Sequence, residues 1–209
     1  MSGFFMTIEG IEGAGKTTQM EMLADFLRKR GKSPHITREP GATRIGENIR
    51  QLLLDPDQQK MCSRTEILLY AADRAQHVEE IIKPALNRGK IIISDRYYDS
   101  TLAYQGFGRN LNREMLSKIV NWAVDGCHPD LTLLLDVDPA RGLQRARSLS
   151  ADQLGDRLER EELSFHERVR KGYKALAREN EKRFKIIDAD KSIEEVQKEI
   201  RRVVEERLP

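Results

Sequence analysis

The chain has 209 residues, 39% hydrophobic and 33% charged, and its 36 Lys and Arg against 34 Asp and Glu leave a net charge of +2. That length suits a single domain over residues 1–209, with room for a small mobile appendage, and the near-balance of charge argues against a general polyanion binder, so no nucleic-acid partner is expected. No run approaches the roughly 18 apolar residues of a membrane span and the first residues lack the basic start and apolar core of a secretory signal, so the expectation is no membrane partner and a cytoplasmic location.

Taken in chain order, Phe4–Ile8 reads as a buried strand. It runs into the glycine-rich stretch Gly10–Gln19, after which Met20, Leu23, Ala24 and Leu27 share one helical face. A second short strand is expected at His35–Thr37. Ser63-Arg64-Thr65-Glu66 has the form of a capping box, heading a long helical pattern through Ile67, Leu68, Ala71, Ala75 and Ile82 with Gly89 just past its end. Further strands are expected at Lys90–Ser94, Leu131–Val137 and Lys185–Asp188, and the unbroken apolar run LTLLL lacks the alternation of a half-exposed strand. Ser192-Ile193-Glu194-Glu195 is a second capping box, opening a helix with the stripe Ile193, Val196, Ile200 and Val203. Strands alternating with helices predict an α/β fold, a five-stranded parallel sheet with helices on both faces.

One region breaks the regularity. From Arg141 to Arg160, five arginines (Arg141, Arg145, Arg147, Arg157 and Arg160) surround a Ser-Ala-Asp-Gly-rich middle. It reads as helix, polar excursion and helix, a natural lid at about 141–160. Cys62 and Cys127 lie far apart with no C-x-x-C spacing, as reduced structural thiols would. The four histidines show no ligand spacing, so no zinc site is expected.

Gly10, Gly15, Lys16 and Thr17 satisfy G-x-x-x-x-G-K-[ST] between a strand and a helix. The glycines Gly10, Gly13 and Gly15 let the backbone curl so that successive N–H groups, those of Ala14 and Thr18 included, converge on phosphate oxygens at a helix N-terminus. Lys16 reaches the outer phosphates and Thr17 offers a hydroxyl to Mg²⁺. The chain is therefore expected to bind a nucleoside triphosphate with magnesium in a P-loop NTPase fold. It lacks the N-K-x-D of a base-reading GTPase and the length of a motor, which leaves a small kinase with a second, acceptor substrate. Asp95 and Arg96 follow the third strand and Arg38 ends the second, at the carboxyl edge where ligands bind. Asp95 suits a magnesium ion and the arginines suit a phosphate. Tyr70 and Arg74, four apart on one helix, can stack on a base and hydrogen-bond its carbonyl.

The order of IEGIEGAGKTT, TREPGAT, the DRY at Asp95–Tyr97 and LDVDP followed by Arg141 resembles the thymidylate kinases, nearly end to end. Ala42 stands where that family has a glycine, a change confined to local loop shape. The resemblance implies transfer of the γ-phosphoryl group of ATP to dTMP, with Mg²⁺, by a homodimer. It implies Arg38 and Arg96 on the dTMP phosphate, Tyr70 and Arg74 on thymine, Ser100 and Gln105 completing the base pocket, and Tyr104 under the deoxyribose. Some family members carry a catalytic arginine in the P-loop. Here Glu12 and Ala14 stand in that loop without one, which implies lid arginines for that task, Arg147 and Arg157 first. Glu12 is then expected on the sugar or Mg²⁺ side of the acceptor. Arg141 and Ile187–Ala189 resemble the adenine region. Asp138 before Pro139 reads as a helix cap, whereas Asp136 is open between a Walker B role and a structural one. The rivals are a kinase for another acceptor and a nucleotide-dependent binding module.

Overall fold

In the computed structural model, which describes residues 3–149 and 155–208, each apolar run becomes a strand: β1 Phe4–Glu9, β2 Pro34–Arg38, β3 Ile91–Asp95, β4 Leu131–Asp136 and β5 Phe184–Asp188. All pairings are parallel, in the order β2-β3-β1-β4-β5. Parallel neighbours need crossovers over a sheet face, and helices supply them. In chain order these are α1 Lys16–Lys29, α2 Arg44–Leu54, α3 Ser63–His77, α4 Lys83–Asn87, α5 Tyr98–Thr101, α6 Arg113–Val124, α7 Pro139–Leu149, α8 Leu163–Glu179 and α9 Ile193–Glu205. A π-helical turn at Val78–Ile82 makes α3 and α4 one continuous rod, and a second at Leu102–Gly108 extends α5.

Strand periodicity divides the core. Phe4, Met6 and Ile8 of β1 pack with Leu23 of α1, Val169 of α8 and Ile200 of α9. Phe5 faces the other way, onto Val78, Ile82 and the α6 residues Val120 and Val124. Both faces of the sheet are thereby covered, as the unbroken strand sequences require.

The two capping boxes part company. At α9, Ser192 accepts from the Glu195 N–H while the Glu195 carboxylate accepts from the Ser192 N–H. At α3 the N-cap is Cys62, whose side chain meets Thr65 Oγ1 and caps no backbone N–H of the helix, and Ser63 is already helical. The expected box at Ser63 is not formed because its acidic partner is used elsewhere. Glu66 is 1% exposed and binds Gln105, Arg109 and Arg157 from other parts of the chain.

At the carboxyl edge Asp95 of β3 lies in register with Ile8 of β1 and Arg38 of β2. The three strands end level, and the chain leaves each of them into one cleft. On the outer face, Ile45 and Leu52 of α2, Leu68 of α3, and Met115 and Trp122 of α6 are exposed apolar side chains, Trp122 at 84%.

Candidate active site

The loop after β1 is shaped by left-handed backbone. Gly13 has φ +67°, and a Cβ there would lie 1.9 Å from the Gly142 carbonyl oxygen, so only glycine lets α7 pack onto the loop. Gly15, at φ 86°, takes the N-cap of α1 with no side-chain cap, and no acidic residue stands in the first turn. The amide groups of that turn are left for an anion. Lys16 folds back, donating to the carbonyls of Gly10 (3.3 Å) and Ile11 (3.1 Å). Burial and the neighbouring Arg96 lower the pKa of its ammonium group.

This loop forms one wall of a cleft of about 690 Å³. The cleft brings together Glu12, Gly13, Lys16, Thr17, Arg38, Tyr70, Arg74, Asp95, Arg96, Ser100, Tyr104 and Gln105, residues the sequence assigned to two substrates. Arg50 also lines it, donating to the Pro40 carbonyl at 3.0 Å.

Arg96 is the hub. Its backbone is left-handed (φ 66°). Its Nη1 donates to Gly10 O (2.9 Å), Tyr173 Oη (3.1 Å) and Ser100 Oγ (3.2 Å), and its Nη2 to Glu12 Oε1 (3.0 Å) and Tyr104 Oη (3.1 Å). Tyr104 also donates to Glu12, and the other Glu12 oxygen lies 3.2 Å from His166 Nδ1 without hydrogen-bond alignment. Burial opposes the charge on Glu12, but His166, Arg96 and Lys16 hold its carboxyl well below the usual carboxylate range. Beneath the hub, buried Glu9 accepts from the Tyr97 N–H (2.8 Å), Ser100 Oγ (2.7 Å) and Tyr173 Oη (2.9 Å). Burial and the nearby Asp99 push its carboxyl up to about 7. Asp95 Oδ1 is buried with no hydrogen-bond partner among the described residues.

At the far end Tyr70 is 9% exposed and Arg74 1%. Arg74 Nε donates to Glu39 Oε2 at 2.8 Å and Nη1 to Thr101 Oγ1 at 3.1 Å. Gln105, on the π-helical turn, spends its amide N–H on Glu66 at 2.8 Å. Such wide turns recur at functional sites. Arg38 is half-exposed and pairs with Glu47 at 3.1 Å.

The lid arginines stand apart from the cleft wall. Arg157 donates to Leu53 O and pairs with Glu66, both at the back of the base end. Arg147 reaches the Glu159 carbonyl at 3.4 Å, and Arg141 pairs with Asp190 at 2.8 Å beside the end of β5. Asp156, Leu158 and Glu159 from the same segment do line the cleft. Residues 150–154, the polar middle of the expected lid, lie outside the described residues. Asp138 caps α7 by accepting from the N–H groups of Ala140 (3.1 Å) and Arg141 (3.3 Å). Asp136 is occupied by Arg170 at 2.6 Å and Lys174 at 2.8 Å, a structural ion pair. No cluster of three or more metal-ligating side chains occurs among the described residues.

Sequence reasoning passed over Glu9, Glu39, His77, Arg50, His166 and Tyr173. Glu9 and Glu39 sat inside the quoted motifs IEG and TREPG, and a buried carboxylate at a strand end was the available signal. His166 and Tyr173 arrive from α8, seven residues apart on one helical face, with nothing in the sequence to tie them to the P-loop.

A family profile described as thymidylate kinase matches residues 8–200. The chain is 56% identical to a thymidylate kinase of Halothermothrix orenii over 200 residues, covering 96% of this chain and 95% of that one. It is 51% identical to one from Syntrophotalea carbinolica, covering 92% and 91%. The crystal structure of thymidylate kinase from Ehrlichia chaffeensis superposes with a TM-score of 0.79 at 34% identity, over 98% of this chain and all of that one.

Proposed function

The chain belongs to the thymidylate kinase family, and from that premise we propose how its cleft performs the reaction. The enzyme phosphorylates dTMP: the γ-phosphoryl group of ATP passes to the acceptor, giving dTDP and ADP. The carrying observation is that one cleft joins an uncapped helix end to two strand-end arginines and a Tyr70/Arg74 pocket. Gly10–Thr18 cradle the triphosphate and Lys16 leaves its parking carbonyls for the outer phosphates. Arg38 and Arg96 hold the dTMP phosphate, Tyr70 stacks on thymine, Arg74 donates to its carbonyl, and Ser100 and Gln105 close the pocket. Tyr104 and Glu12 take the sugar side. Arg141 and Ile187–Ala189 flank adenine.

An acceptor phosphate oxygen attacks the γ-phosphorus in line as the bond to the ADP oxygen breaks. The acceptor is already ionised, so positioning and charge stabilisation supply the catalysis. With no arginine in the P-loop, Arg147 and Arg157 come in from the lid to neutralise the transferred group. The cleft also fits Mg²⁺: Asp95 Oδ1 is buried and has no hydrogen-bond partner among the described residues, and Thr17 also lines the cleft. These two would hold the ion, which supplies charge neutralisation on the phosphates. The exposed apolar side chains of α2, α3 and α6 support assembly as a homodimer. Among the described residues no helix is long and apolar enough to cross a membrane, and the proposed setting is the cytoplasm.

An enzyme-linked ADP-release assay with ATP and Mg²⁺ tests the acceptor end, offering dTMP, dUMP, dCMP, dGMP and thymidine separately. Fast turnover of dTMP, slower turnover of dUMP and none of thymidine is expected. Activity on thymidine or dGMP would overturn the Tyr70/Arg74 pocket.

A further inference from the structure

Arg74 is nearly sealed in the fold, and its orientation is imposed by neighbours that share the cleft wall with it, Glu39 and Thr101. Nε and Nη2 both lie 2.8 Å from Glu39 Oε2, and Nη1 donates to Thr101 Oγ1. A guanidinium has five N–H donors and no acceptor, so the groups left over at the cleft can only donate. Glu39 is itself held. Its Oε1 lies 2.8 Å from His77 Nδ1, and His77 Nε2 lies 2.7 Å from Thr37 Oγ1. A carboxylate can only accept, so Nδ1 carries the proton. In the neutral ring Nε2 then accepts from the Thr37 hydroxyl. Glu39 is 4% exposed and His77 fully buried. Thr37 and Glu39 flank Arg38 at the end of β2, and His77 follows Arg74 by three on α3, on the same face. Neither His77 nor Thr37 has a role in the chemistry described above.

We propose that Thr37, His77 and Glu39 form a positioning relay that locks the Arg74 guanidinium, and so sets the enzyme's preference for pyrimidine monophosphates with a keto group, not an amino group, at position 4. The inference rests on the reading of Arg74 as the donor to the base. A locked donor edge accepts a carbonyl and leaves buried N–H groups facing an amino group, the arrangement that discriminates most strongly. A guanidinium free to turn loses the keto contact and the penalty together.

dUMP and dCMP differ only at position 4 and in the N3 proton, so the ratio of their dissociation constants, read by ligand-observed NMR titration, isolates the effect. R74Q is expected to collapse the ratio. H77F, which removes the donor to Glu39, should lower it about tenfold. H77N, which returns an N–H near Nδ1, should stay within about threefold of the wild type. T37V, isosteric and lacking the hydroxyl, should fall between. If R74Q leaves the ratio intact, the reading of Arg74 fails. If R74Q collapses it while H77F, folded by its thermal melt, leaves it unchanged or weakens both ligands equally, the relay is overturned. T37V decides in the same way should H77F not fold.

Discussion

Arg96 shows how much chemistry one residue position concentrates. Its left-handed backbone turns the chain out of β3, and its guanidinium ties the P-loop carbonyl of Gly10 to Glu12, Ser100, Tyr104 and Tyr173. The residue itself was legible, because an arginine two positions past a buried strand belongs to the ligand edge. Its supports were not. Glu9 falls just past the strand the sequence marks and Tyr173 was not singled out, and only folding makes them neighbours. Glu9 carries a measurable signature. Its folded-state carboxyl, near 7, lies above the ordinary value of 4.5, so the folded protein holds a proton that the unfolded chain releases at lower pH. That contribution to stability is complete below about 4.5 and is lost as pH rises through about 7. Asp73, pushed up to about 6 by burial and Glu39, acts with the same sign. Thermal melts of Glu9→Gln between pH 4.5 and 7.5 should therefore show a shallower decline than the wild type, by on the order of 1–3 kcal/mol across the range.

Among the elements, local signals held where nothing distant competed for the same side chains. The Ser192 box at α9 formed because Glu195 is exposed and, among the described residues, bonds only with Ser192. The same pattern at Ser63 failed because the Glu66 carboxylate is claimed by two arginines and an amide. No local propensity reveals such a claim. The α7–P-loop contact is similarly invisible in sequence, since Gly142 reads as an ordinary helix residue. A Cβ at Gly142 would stand 2.5 Å from the Glu12 carbonyl oxygen, and backbone on both sides leaves little room to yield. Gly142→Ala is expected to push the loop off its seat. The KM for ATP should rise several-fold, and stability should fall by about 1–3 kcal/mol. Initial rates over an ATP series together with urea unfolding check both effects.

For the molecule as a whole, the five strands and their parallel sense followed from short apolar runs alternating with helical patterns, whereas their order β2-β3-β1-β4-β5 came only from the fold. The lid did not follow so directly. Its charge was visible, but where Arg157 rests depends on Glu66 and Leu53, which approach from α3 and α2. Arg157 is drawn to Glu66 and Arg147 to a carbonyl of its own segment, so the role proposed for them requires both to exchange these partners for the transferred phosphate. Arg147→Ala and Arg157→Ala are accordingly expected to lower kcat at least tenfold while changing the KM for dTMP by less. Steady-state kinetics with saturating ATP decides this for each residue, and an unchanged kcat removes that residue from the catalytic set.

The chain has a single tryptophan, and it stands 84% exposed on the outside of α6, away from the residues of the cleft. Intrinsic fluorescence of this protein is therefore a surface reporter, with emission at long wavelength and ready quenching by acrylamide. Nucleotide binding should leave it nearly unchanged. Raising the protein concentration through the proposed dimer's dissociation range should shift the emission to the blue and shield it from the quencher, making Trp122 a native probe of assembly that is optically silent to catalysis.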